Sequence, residues 1–412
     1  MNEPEIPCRR RSDERPLEGV RVADFSRVLA GPFCTRMLVD LGAEVVKIEP
    51  PEGDVSRRLG PRRAGMSGYY MQQNCGKRNV SLDLKHPRGR ELALEIVRRC
   101  DVLVENFRPG VMAALGLGAN TVRALQPELI YCSISGFGTS GPGRDQRAFA
   151  GIAHATTGML WRQAAITGQR TADSVLALGD TVTGLQATIA ILAALALRGR
   201  TGKGQFIDMA MHDALLSVQE AANFYLFPDE PSETDFLCSW VYRATDRDVV
   251  MPTDPRADWE ALCRVMDRPE LIDDPRYDTL QKRTACLDEL EAHIQSWVLD
   301  LPDADRVVAA LHAGGLPGAR VATLGEALDS EQTIARGMTP EIPDRSGRRV
   351  RMLNSPYRFS DATAGAHGAP AFRGEDNTIV LGELLGLSDD EIRRLEEEGI
   401  ISSRVPQRAE PR

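Results

Sequence analysis

Short apolar runs and amphipathic segments alternate along the first third of the chain. "GVRVADFS" (19–26) is a β-rich run, and "GPFCTRMLVDLG" (31–42) has helical spacing and stops at Gly42. "AEVVKIEP" (43–50) predicts a second strand, ended by Pro50 and Pro51. After a Gly/Arg-rich loop, "RNVSLDL" (78–84) predicts a third. "HPRGRELALEIVRRC" (86–100) is an amphipathic helix with proline in its first turn. "DVLVENF" (101–107) reads as a strand, "PGVMAALG" (109–116) as a short helix and "ELIYCSISGFG" (128–138) as another strand. Strands alternating with helices at this spacing predict a parallel sheet covered on both faces. Ligands in such sheets bind at the carboxyl ends of the strands. "DFSRVLAGP", "VENFRPG" and "SGFGTSGPG" all fall at such ends.

Further along, 181–197 reads as a buried helix that stops in "RGRTGKG". "QFIDMAM" (205–211) predicts a strand and "HDALLSVQEAANFYLF" (212–227) one further helix. "PDEPSETD" (228–235) has linker composition, and the shorter segments from 236 to 330 read as a smaller α+β domain. The pattern thus divides into a tail (1–15), a large α/β domain (16–227), a small domain (228–330) and a C-terminal return to the large domain (331–412). The last helix is marked at both ends: Ser388 with Glu391 forms a capping box, and Gly399 sits just past the end.

At 412 residues the chain exceeds what one hydrophobic core usually organises. A net charge of -9 argues against a general nucleic-acid binder, which needs a basic surface. The eight cysteines are scattered, form no CxxC pair and have no zinc-ligand spacing with histidine. They read as reduced thiols of a cytoplasmic protein. The N-terminal residues carry no apolar signal core, and the longest apolar stretch, 185–197, is short for a bilayer.

Two phosphate-binding motifs are approached and missed. "LRGRTGKGQ" lacks the first glycine and the Ser/Thr of a P-loop and follows a helix, so its glycines read as a helix stop. "DFSRVLAGPFCTRMLVDLGAEVVKIE" has the strand–turn–helix–strand order of a dinucleotide site, with Glu49 where a ribose-binding acid would lie. Of the glycines only Gly31 is present, and no NAD or flavin site follows. No G-x-S-x-G elbow occurs. "LALGDTVTGLQ" is different. Asp180 precedes an apolar helix, where an aspartate commonly caps the helix. A helix end also favours an ionised carboxylate, and such a group can be a covalent nucleophile. Gly179 beside it allows close approach to the backbone. Of the six histidines, only His154, in "AFAGIAHATTGML", lies near these loops.

Several stretches together resemble the class III coenzyme A transferases, the formyl-CoA and carnitine-CoA transferase group. They are "PLEGVRVADFSRVLAGPFCTRMLVDLGAEVVKIEPP", "NCGKRNVSLDLKHPRGRELALEIVRRCDVLVENFRPGV", "LIYCSISGFGTSGP", "LALGDTVTGLQATIAILAALALRGRTGKGQFIDMAM" and "GEDNTIVLGELLGLSDDEIRRLEEEGII". They run in family order from about residue 16 to 401. The resemblance implies an open, mostly parallel Rossmann-like sheet in the large domain, a smaller α+β domain and an interlocked homodimer. It implies an acyl-CoA:carboxylate CoA-transferase with Asp180 as nucleophile, and small-molecule acyl-CoA and carboxylate substrates. Coenzyme A would then contact Val28, Leu29, Ala30, Asn74, Gly76, Lys77, Asn106, Phe107, Arg108 and Arg147. Lys77 and Arg108 are the candidates for phosphate, and Phe107 for the adenine face. No metal, nucleic acid or membrane partner is implied.

The chain departs from that pattern in four places. Leu29 stands where formyl-CoA transferases carry Gln, Pro50 where they carry Arg, Ala114 in place of an Arg and Ala150 in place of an acid. These departures point away from formyl-CoA and oxalate. Two alternatives stay open: a 2-methylacyl-CoA racemase, and a catalytically silent CoA-binding protein.

Overall fold

The computed structural model describes residues 14–63, 65–168, 170–227, 240–345 and 347–404. Most of the expected tail and the 228–235 linker lie outside them. The chain divides into two compact units, Met1–Gln219 with Ala335–Arg412, and Glu220–Ile334.

The first unit is built on six strands: β1 (Arg21–Asp24), β2 (Glu44–Glu49), β3 (Arg78–Ser81), β4 (Val102–Glu105), β5 (Ile130–Ser135) and β6 (Phe206–Ala210). All neighbours are parallel, in the order β3-β2-β1-β4-β5-β6. This is the doubly wound order, which reverses direction between β1 and β4. Side chains alternate between the two faces. Ala23, Val46, Val80 and Leu103 enter one core with the helix Pro87–Val97 and the C-terminal helices Asn377–Leu385 and Asp389–Glu397. Val22, Val45, Val102 and Val104 enter the other. That second layer holds α1 (Ala30–Asp40), α3 (Leu178–Thr201) and α4 (Met211–Leu216); α2 (Ala150–Thr156) packs on the start of α3. Both faces are covered, as a parallel sheet requires.

Close approach of α3 to its neighbours depends on two glycines. A Cβ at Gly184 would stand 2.7 Å from the Ala30 carbonyl oxygen, and one at Gly179 3.0 Å from Ala150 Cα. Gly179 therefore admits protein backbone at this point, not a ligand.

Other local expectations change as well. The α3 helix begins at Leu178, so Asp180 is its third residue and not its cap; Ala177 holds the cap position without a side-chain bond. With 24 residues, α3 is longer than the apolar stretch in its sequence and, among the described residues, the one helix long and apolar enough to cross a membrane. It is buried on one face only: Gly184, Ala187 and Ile191 pack inward, while Leu185 and Ile189 are exposed. The single helix expected over 212–227 breaks into α4, a 3-10 turn at Glu220–Ala222 and a short helix Asn223–Leu226. The first break falls where the Ser217 hydroxyl bonds the Ala214 carbonyl, a side chain competing with the helix ladder. The Gly/Arg-rich loop contains a helix, Gly68–Asn74, capped by Ser67. The capping box of Ser388 and Glu391 forms as expected, and Gly399 has φ 70°.

The second unit has a three-stranded antiparallel sheet formed by Trp240–Arg243, Asp248–Met251 and Ala319–Arg320. Helices Trp259–Val265, Leu287–Asp300 and Ala304–Ala313 close a core of Val249, Trp259, Ile294 and Leu311 over it. The six cysteines among the described residues are free thiols.

Candidate active site

Where the strand order reverses, the loops after β1 and β4 separate and leave room at the carboxyl end of the sheet. Buried ions cluster at the carboxyl ends of β1 and β2. Asp24, at the end of β1, accepts from Thr35 and from the ammonium of Lys77 at 3.0 Å. Lys47 donates to the Ser26 carbonyl at 2.6 Å and pairs with Asp54 at 3.4 Å. Despite the cost of burial, Lys77, Lys47 and the hydroxyls of Ser26 and Thr35 hold the Asp24 carboxyl down at about 2. Glu49 is likewise held at about 2 against burial by the Arg57 guanidinium at 2.8 Å.

The chain after β1 takes an unusual path. Val28 has φ 67°, a left-handed conformation that a β-branched residue adopts only under constraint. Its N–H donates to Asp54 at 3.2 Å. The Asn106 side chain fixes the other flank: its Oδ1 accepts the Arg27 N–H and its Nδ2 donates to the Arg27 carbonyl, both at 2.8 Å. The turn after β4 is thereby stitched to the turn after β1.

Asp180 faces the amino ends of two helices. Its carboxyl lies near the backbone amides of Ala30, the first residue of α1, and Ala150, the first residue of α2, and both favour its ionised form. Both ends carry the positive pole of a helix. Burial pushes the Asp180 carboxyl above its ordinary value, and the two amides only partly offset this. Burial, then the carboxylates of Asp180 and Asp54, pushes up the phenol of Tyr69.

The opening beside Asp180 has a volume of about 270 Å³. The structure brings Val28, Ala30, Asn106, Phe107, Arg108, Arg147 and Asp180 to its wall. Arg27 also lines it, with its guanidinium 5.1 Å from the centre of the Phe107 ring. Ser135, Gln146, Phe149 and Met211 are also in the wall; sequence reasoning missed these. Their one signal in the sequence is that Ser135 lies near the end of a predicted strand and 146–149 in the loop that follows it.

Four expected contacts lie elsewhere. Leu29 is turned inward at 8% exposure. Lys77 is 2% exposed, and its ammonium is surrounded by Asp24, Pro32 O, Thr35 Oγ1 and Asn74 Oδ1 at 2.7 to 3.0 Å. Asn74 donates its remaining amide to the Tyr70 carbonyl, and Gly76 lies against His367. Lys77 and Asn74 spend their polar atoms on the protein interior. Glu49 is similarly spent on Arg57 and Tyr70. A larger cavity of about 660 Å³, rich in arginine, lies in the same unit, and Asp180 is not in its wall. No group of three or more His, Cys, Asp or Glu side chains is placed to hold a metal among the described residues.

His154 is 1% exposed on α2. Its Nε2 accepts the N–H of Gly179 at 3.0 Å, and its Nδ1 is 2.7 Å from Asp173 Oδ1. A backbone N–H can only donate, so Nε2 carries the lone pair and Nδ1 the proton, which goes to Asp173.

Comparison with known proteins gives this geometry its context. The description "CoA-transferase family III" matches residues 17–377. The chain is 32% identical over 411 residues to the formyl-CoA:oxalate CoA-transferase of Streptomyces avermitilis, covering 94% of this chain and 100% of that one. It is 31% identical over 399 residues to the succinyl-CoA:glutarate CoA-transferase of Homo sapiens, covering 94% and 90%. Identity is 34% over 388 residues to the succinyl-CoA:mesaconate CoA-transferase of Haloarcula marismortui, covering 89% and 96%. Among solved structures, a CAIB/BAIF family protein from Brucella suis superposes with a TM-score of 0.79 at 31% identity, covering 90% of this chain and 99% of that one. The doubly wound sheet, the opening at its switch point and a match that runs through both lead to one assignment: the chain belongs to CoA-transferase family III.

Proposed function

We propose that this protein transfers coenzyme A between an acyl-CoA and a carboxylic acid, with Asp180 as covalent nucleophile. The observation that carries the reading is that Asp180 lines the switch-point opening, with the amides of Ala30 and Ala150 near its carboxyl. An Asp180 oxygen attacks the thioester carbon, the C–S bond breaks, and a mixed anhydride and CoA thiolate result. The thiolate attacks the aspartyl carbonyl and expels the donor carboxylate, leaving CoA as a thioester on Asp180. The acceptor carboxylate attacks that carbonyl, releasing the thiolate and forming a second anhydride. Attack of the thiolate on the acceptor carbonyl gives the new acyl-CoA and restores Asp180. Each tetrahedral carbon carries an oxyanion, for which the Ala30 and Ala150 amides are the candidate donors. Pre-positioning offsets the weak nucleophilicity of a carboxylate.

Arg27, Arg108 and Arg147 give the opening the charge to hold the phosphates of CoA, with Phe107 beside them. The reading includes a homodimer, for which the exposed Leu185 and Ile189 of α3 supply apolar surface. The relatives that carry succinyl-CoA in their names make dicarboxylic acyl-CoAs the first donors to test. The racemase alternative needs a histidine presented to an α-proton, whereas His154 is buried with its Nε2 occupied by Gly179.

The test is a transfer assay over a matrix of acyl-CoA donors and carboxylate acceptors, for wild type and Asp180→Ala. Formation of a new acyl-CoA by the wild type and its loss in the variant support the reading. Transfer that survives in Asp180→Ala contradicts it, and exchange of an α-proton without transfer would favour the racemase.

A further inference from the structure

The first turn of α3 lacks a local cap: Ala177 has no side-chain oxygen to accept the free amides that open the helix. The amide of Gly179, immediately before Asp180, is satisfied instead by an imidazole 25 residues away on α2. We infer that His154 is a positioning residue for Asp180, acting as an N-cap supplied in trans and held in the accepting tautomer by Asp173.

Three observations support this. First, the Asp173–His154–Gly179 chain is continuous, with distances of 2.7 and 3.0 Å. Second, the contact is built in on both sides. Gly151 of α2 leaves the space that Asp173 fills, since a Cβ there would be 2.6 Å from Oδ2; Gly179 lies against Ala150. Third, α2 carries both His154 and the Ala150 amide, which lies near the Asp180 carboxyl and favours its ionised form. The imidazole therefore ties together the backbone bearing the nucleophile and one of the donors it faces. Without the acceptor, the buried Gly179 N–H must seek another partner, and the turn that aims Asp180 shifts against α2. The residue touches no reacting atom, so its effect falls on the rate of attack and not on recognition of CoA.

This inference rests on Asp180 being the nucleophile, and its test separates the two. The rate of CoA adduct formation on Asp180, kcat, KM for the acyl-CoA and the thermal midpoint are measured for wild type, His154→Leu, His154→Gln, Asp173→Ala and Asp173→Asn. His154→Leu removes the acceptor, and adduct formation and kcat are expected to fall about ten- to a hundredfold, the scale of small misplacements in an active site. KM stays within about twofold, because uniform binding is untouched. His154→Gln, whose Oε1 can accept the same N–H, restores most of the rate. Asp173→Asn still accepts from Nδ1 and stays close to wild type. Asp173→Ala frees the tautomer and loses rate in part; Asp173 is exposed, so this variant folds even where His154→Leu does not. A folded His154→Leu or an Asp173→Ala with the wild-type adduct rate overturns the positioning role, as does a loss confined to KM. Absence of any adduct in the wild type overturns the nucleophile assignment itself.

Discussion

A carboxylate attacks a thioester only when it is ionised, and the surroundings of Asp180 resist that. Burial raises its pKa, with the amides of Ala30 and Ala150 in partial opposition. The rate should therefore fall as pH drops through a value above that of an ordinary aspartate, and a pH profile of kcat/KM checks this. The linkage to folding has the opposite sense. Between the unfolded and the higher native pKa the folded protein binds more protons, so stability grows as pH falls through that window. At neutral pH the ionised group is a burden. Asp180→Asn is accordingly expected to lose transfer by roughly 10³-fold or more and yet melt at a higher temperature than wild type. The basic residues divide by the same physics. Lys77→Met leaves Asp24 buried beside one cation fewer and should cost about 3–5 kcal/mol in denaturant unfolding. Arg108→Ala should raise KM for acyl-CoA about tenfold, the loss of one charge-assisted bond, with little change in stability. From the sequence alone "NCGK" and "NFRPG" carry equal weight as phosphate binders. Burial is what separates them, and burial at Lys77 comes from α1 and Asp24, distant in the chain.

The elements put these residues in register. Strands were legible because alternate positions serve two different cores, a pattern visible as near-continuous Val, Ile and Leu runs. The first turn of α3 was not. Sequence reasoning starts the helix after Asp180 because aspartate is a common cap, but the accepting group is His154, a partner no local pattern reveals. The short α2 was missed for a related reason: "AGIAHAT" has too few apolar positions to display a helical period. Helix contact also yields a prediction. Gly184 lets α3 lie against the backbone of α1, with the Ala30 carbonyl 2.7 Å from where a Cβ would be. Gly184→Ala should force the two helices apart, cost about 1–3 kcal/mol and slow transfer by moving Asp180 from the Ala30 amide. Melting curves and transfer rates on the same samples test both parts; an unchanged midpoint with an unchanged rate would contradict the packing argument.

At the scale of the whole molecule, the strand order explains why the site lies where it does. The sheet reverses between β1 and β4, and the two loops that diverge there carry Val28 and Asn106, while α3 brings in Asp180 from a segment that follows β5. This general location was legible from strand ends alone. The identities of donor and acceptor were not, since the wall includes Gln146 and Phe149 from an irregular segment with no periodic signature. The buried ions at the ends of β1 and β2 govern acid stability. Asp24 and Glu49 are held at about 2 in the fold, below their ordinary values of 3.8 and 4.5. Their contribution is therefore complete above about pH 5 and is lost as pH falls toward 2. Urea midpoints between pH 6 and pH 2 should decline over that lower range, and the decline should lessen when Glu49 is replaced by Gln. The central claim, a covalent role for Asp180, is tested most directly by intact-mass spectrometry after incubation with a panel of acyl-CoAs, followed by peptide mapping. The account predicts a hydroxylamine-labile adduct of the mass of CoA on the peptide bearing Asp180, absent from Asp180→Ala. Turnover with no adduct on that peptide, or an adduct that persists in the variant, would contradict it.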